Sequence, residues 1–173
     1  EEQMRGGGTS FGDIQAVGGG GGGCLSNSMQ EIGYEGASGG GSGANQFTES
    51  GTVSGGNSLF FSDSDLATFG NSGGEISVSS ISQYLASGSG GGGATSEGSG
   101  PSGNSGGNGG DGKSSSIRGN NQSFAGGGAS VRNAPYSEQK PGVSDGTGGA
   151  GGGGNTNSSG AKNLTEGGHR GGM

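Results

Sequence analysis

Gly88-Ser89-Gly90-Gly91-Gly92-Gly93 is the stretch on which the organisation of this chain turns. Taken alone it reads as a flexible linker, because a Gly/Ser run has no side chains with which to hold one conformation. It also marks a change in composition. Of the 21 Leu, Ile, Val and Phe residues, 16 lie in residues 1–87; the remainder of the chain holds only Ile117, Phe124, Val131, Val143 and Leu164. The sequence therefore divides into an apolar-containing segment, 1–87, and a Gly/Ser-rich low-complexity segment, 88–173.

The same composition runs outward in both directions. Gly accounts for 52 of 173 residues and Ser for 30, while the large aliphatic residues and Phe make up about 12%, below the ~20% under which a chain is usually too poor in apolar surface to fold alone. Ordering a glycine backbone is costly because glycine is so free when unfolded. The expected fold class is unknown beyond an irregular Gly/Ser-rich chain with little self-sufficient core. The alternative is a helix-containing globular domain, if the Gly and Ser positions stand for unassigned side chains.

That alternative rests on spacing. Phe11, Ile14 and Val17 step by three, Leu25, Met29 and Ile32 by four and three, and Val78, Ile81 and Leu85 by three and four, which places each set on one helical face. Local propensity opposes it, because Gly18–Gly23 is an unbroken run and each Gly costs about 1 kcal/mol in a helix relative to Ala. Glu75–Ala86 is the better helix candidate, although Ile76 and Val78 alternate with serines and equally suit the opening of a short strand. Asn57-Ser58, before Leu59-Phe60-Phe61, reads as a turn. No Gly-X-Y period and no unit of 20–50 residues recurs, which disfavours collagen-like and solenoid arrangements. Glycines of an ordinary helix or strand at 18–23 would have no local reason to be glycine; positive φ there would supply one.

The net charge is −7, which disfavours nucleic acid and anionic membrane surfaces as partners. Cys24 is the only cysteine, so no intrachain disulfide forms. Glu1-Glu2-Gln3-Met4-Arg5 lacks the basic-then-apolar order of a signal peptide, an order that a mature terminus would lack too. No apolar stretch approaches the ~20 residues of a membrane span.

Gly107-Asn108-Gly109-Gly110-Asp111-Gly112-Lys113-Ser114 fits the phosphate-binding pattern G-x-x-x-x-G-K-S. Its context does not fit, since no apolar strand precedes it, and a chain this rich in Gly and Ser yields the pattern by chance at roughly 6%. Gly106–Asp111 also resembles part of a calcium-binding β-roll repeat, and Asp63-Ser64-Asp65 the start of a calcium loop. The first lacks a second copy to stack on; the second has Thr68 where Gly is needed and Gly74 where Glu is needed. Arg5-Gly6-Gly7, Arg118-Gly119 and Arg170-Gly171-Gly172 are too sparse for an RNA-binding tail. The sequons at Asn121, Asn157 and Asn163 are no more than 12 Asn would supply by chance. One Cys and one His (His169) cannot furnish a four-ligand zinc site, and nothing local would orient His169 toward Cys24 as a catalytic base.

The sequence therefore assigns no catalytic, cofactor-binding or metal residue. It points to a non-enzymatic structural or assembly component ordered by other protein chains. An enzyme or binding domain with an incompletely assigned sequence is the second reading, and a low-complexity RNA-binding segment the third.

Overall fold

The computed structural model describes residues 5–23, 32–44, 51–59, 70–77, 86–103, 105–133 and 145–156. None of these residues is helical. Phe11 and Ile14, placed on one helical face by their spacing, are instead Cα partners across a hairpin of β1 (Thr9–Phe11) and β2 (Ile14–Ala16). Gly12 makes the reversal with φ 58°, the left-handed conformation that glycine adopts without penalty. Leu25, Met29, Val78, Ile81 and Leu85 lie outside the described residues, and Ile32 is exposed.

Seven further short strands follow: β3 (Gly43–Ala44), β4 (Thr52–Val53), β5 (Ile76–Ser77), β6 (Ala86–Gly88), β7 (Lys113–Ser115), β8 (Gln122–Phe124) and β9 (Arg132–Asn133). They form a three-stranded antiparallel sheet, β3-β6-β9, and the pairs β4-β5 and β7-β8. Ile76 thus opens a strand, the second of the two conformations its alternation with serine allows.

Most of the molecule lies between these strands, in extended runs whose amides bond to other runs. Gly92 donates to Gly39 O, Gly56 to Gly40 O, Gly73 to Gly56 O, and Gly110 to Gly91 O, each at 2.8–2.9 Å. The environment of a run repeats every third residue. A Cβ built on Gly106, Gly109 or Gly112 would meet the carbonyl oxygen of Ser130, Gly127 or Phe124 at 1.9–2.1 Å. One on Gly107 or Gly110 would meet Ser99 O or Ser96 O, both at 2.1 Å. Asn108 and Asp111 occupy the third face, where their Oδ1 atoms accept the amides of Thr147 (2.7 Å) and Ala150 (3.0 Å). Three residues per turn, with bonds sent outward rather than along the run, is the geometry of the polyproline II helix.

This packing explains why glycine is abundant without a visible period. The 38–44 run lies inside the array and meets a different neighbour on each face. A Cβ would fall 1.7 Å from Gly56 O at Gly39, 1.9 Å from Gly21 O at Gly40, and 2.0 Å from Ser89 O at Gly41. Three consecutive positions of this run therefore need glycine, and Ser42 and Ala44 stand where a small side chain fits. Runs with fewer neighbours need it on fewer faces and carry Asn, Ser or Thr elsewhere. The three-residue period is present in the contacts and masked in the sequence.

The stretch Gly88–Gly93 is not a linker. Ser89, Gly90, Gly92 and Gly93 are buried, and the run bonds to 38–44, to 70–74, to 98–99 and to 128–131. Gly18–Gly23 is likewise built in: none of it has the left-handed φ that would explain glycine, yet a Cβ on Gly18 would stand 1.9 Å from Gly6 O, and one on Gly20 1.9 Å from Tyr34 O. Close backbone approach, rather than dihedral angle, is what requires glycine there. Asn57-Ser58 does not turn; it runs straight beside Gly36, which donates to Asn57 O and accepts from the Leu59 amide.

Apolar burial is slight. Ala44, Val53 and Ile76 form a small cluster where β3, β4 and β5 meet. Buried serines complete it: Ser42 Oγ donates to Val53 O (3.0 Å), lies 2.9 Å from Ser89 Oγ, and the Ser42 amide donates to Ser89 Oγ (2.7 Å). Ser fits because it is small enough for the array and can satisfy the carbonyls that glycine leaves exposed.

Candidate functional site

Register places one set of chain connections at a common end. Ala44, the last residue of β3, pairs with Ser87; Thr52 pairs with Ser77; and Ala86 pairs with Asn133. The chain therefore leaves and re-enters this end at 45–50, at 78–85 and at 134–144. The connection 24–31 belongs to it as well, since Gly23 donates to Gly41 O and Gly33 to Ser54 O. The opposite end carries the β1-β2 and β7-β8 hairpins, the bend at 94–96 and the connection 60–69, whose flanks Leu59 and Asn71 bond to Gly36 and Gly39.

The two classes of segment differ in chemistry. The runs are predominantly Gly, Ala, Ser and Asn. The four connections at the common end hold Leu25, Met29, Phe47, Val78, Ile81, Tyr84, Leu85, Tyr136 and Val143; their own structure lies outside the described residues.

Arg132 stands on β9 at the same end, opposite Ser87 of β6, and is only 4% exposed. Burial pushes its guanidinium below the usual arginine range. Its Nε has no hydrogen-bond partner among the described residues, nor has Ser87 Oγ. No pattern in the sequence marks Arg132 as buried, because the residues that cover it come from β6 and neighbouring runs.

The sequence motifs fall within the array. Every amide from Gly107 to Gly112 is donated inside the molecule: Gly107 to Gly88 O, Asn108 to Ser99 Oγ, Gly109 to Thr147 O, Gly110 to Gly91 O, Asp111 to Ser96 Oγ and Gly112 to Ala150 O. A phosphate cradle needs those amides pointing into one concavity. Here they point to different neighbours, and Lys113 belongs to the exposed β7. Within the stretch that resembles a calcium-binding repeat, Asn108 Oδ1 and Asp111 Oδ1 accept backbone amides of 147 and 150. Among the described residues, no group of three His, Cys, Asp or Glu is placed to hold a metal ion. Arg5 pairs with Glu35 at 3.1 Å, while Arg118 is exposed in the hairpin loop at the far end from Arg132. Cys24, Asp63, Asp65, His169 and Arg170 lie outside the described residues. No described helix is long and apolar enough to cross a membrane.

No family model, no curated protein and no solved structure matches this chain.

Proposed function

We propose that this protein is a non-enzymatic assembly or recognition component: a backbone-packed glycine scaffold that presents the connections 24–31, 45–50, 78–85 and 134–144, at one end, to a macromolecular partner. The carrying observation is the register of β3-β6-β9 and β4-β5, which brings 24–31, 45–50, 78–85 and 134–144 to a common end. A rigid array bearing sequence-diverse connections is the division of labour seen where binding loops stand on a fixed framework. Large apolar and aromatic side chains are also the usual anchors of protein interfaces.

The test exchanges the 45–50 and 78–85 sequences for unrelated polar sequences of equal length. The thermal midpoint should stay within a few degrees of the parent value, because the scaffold does not depend on these side chains. A loss of cooperative folding would make the connections part of the core and defeat the reading.

A further inference from the structure

The runs 17–23, 37–43, 86–92 and 125–131 curve around a groove of 860 Å3, with Thr156 at its margin. Its position in the array is informative. The 38–44 run bonds to 18–23, 33–37, 51–57, 70–74 and 88–92, and the 86–93 run to 38–44, 70–74, 98–99, 107–110 and 128–131. Neither of these two runs bonds to another described run on the side that lines the groove. The groove thus has the place of one further extended run.

The glycines along it add an independent observation. Among the described residues, a Cβ on Gly19, Gly22 or Gly91 would come no nearer than 3.6 Å to any atom, and one on Gly128 would meet nothing within 4 Å. None of the four has a left-handed φ. Of the other described glycines with open space, Gly12, Gly103 and Gly119 sit at turns with positive φ, while Gly7, in the run leading into β1, shares the open space without it. Nothing within the described chain therefore requires glycine at 19, 22, 91 and 128, where it weakens the fold by its freedom when unfolded. Close approach by another backbone would require it, as it does at Gly39, Gly40 and Gly41.

We infer that this groove receives one extended, glycine-rich segment of a partner chain in the polyproline II conformation, completing the array around 38–44 and 86–93. Its walls are backbone and small side chains, so specificity comes from spacing. A segment with large side chains on its inward faces cannot reach hydrogen-bonding distance. This inference stands apart from the loop-bearing end and does not depend on it.

The experiment is titration calorimetry of the full chain with a soluble, lysine-tagged peptide of repeating Gly-Gly-Ser. The control is an identically tagged peptide carrying Val in place of both glycines. The Gly peptide should bind saturably, and the Val peptide at least about tenfold more weakly. The double variant Gly91→Val and Gly128→Val should keep the parent melting midpoint and lose binding by a similar factor. Gly128→Ala alone, which adds only a methyl to open space, should retain the fold and weaken binding less. Equal binding of the two peptides, no binding of either, or full binding by the Val variant would overturn the proposal. So would a parent protein that sediments as a dimer and is converted to monomer by Gly128→Val, since the occupant would then be a second copy.

Discussion

Glycine acts at single positions in two ways here, and they are separable by substitution. At Gly39 a methyl group would sit 1.7 Å from Gly56 O, and backbone on both sides cannot withdraw without breaking the array. Gly39→Ala should cost several kcal/mol, on the order of 3–5, or prevent folding. At Gly128 the space is open and φ is not left-handed, so Gly128→Ala should be neutral or stabilise by about 0.4–1 kcal/mol through the unfolded state. Chemical denaturation of the two variants side by side checks the pair. Arg132 offers a second residue-scale prediction. Its charge is buried without a partner for Nε, so Arg132→Met should be neutral or stabilise by about 1–3 kcal/mol. The sign of any pH effect follows from the direction of the shift. Burial lowers the folded-state value below the unfolded one, so the charged form disfavours folding at every pH below the folded value. Relief arrives only as pH rises through that value, far into the alkaline range. A flat difference between parent and variant across neutral pH, measured by denaturation, is therefore expected.

Elements differ in how they are held. The β7-β8 hairpin pairs only with itself along its strands, and Ile117 and Phe124 are exposed at 89% and 40%. The 38–44 run, by contrast, is enclosed by neighbours on nearly every side. Amide hydrogen exchange should rank them in that order: fast for Ser114–Ser123, slow for Gly39, Gly40 and Gly92, whose amides are both bonded and buried. Comparable protection in the hairpin and the inner runs would contradict the array as the cooperative unit. At this scale the sequence was partly readable. Glu75–Ala86 read as a helix candidate or the opening of a strand, and Ile76–Ser77 is a strand, whereas the stepped spacing of Phe11 and Ile14 suggested a helical face and the residues pair across a hairpin. Spacing by three is ambiguous when so few side chains are present to be buried.

At the scale of the molecule, the described residues are held by backbone hydrogen bonds and dense backbone packing, with little apolar burial. Only Ala44, Val53 and Ile76 form a buried hydrophobic cluster among the described residues. Unfolding should accordingly expose little apolar surface, and its heat-capacity change should fall well below the usual ~12–15 cal/mol/K per residue. Differential scanning calorimetry measures this directly; a value in the ordinary range would mean that a conventional core exists. Far-ultraviolet circular dichroism should show no helical bands from the described part of the chain.

The composition by itself set the expectation of little apolar core, and of little weight for the match at 107–114 as a phosphate site. Whether the glycines were slack or structural was decided only by the tertiary arrangement. Gly88–Gly93 reads the same as a linker and as a central run, because glycine has no side chain to record its neighbours. How many faces of a run must be glycine depends on how many other runs touch it, and those runs come from distant parts of the sequence. The same reason hid the loop-bearing end and the burial of Arg132: both follow from pairings such as Ala44 with Ser87 and Ser87 with Arg132, which no local pattern encodes.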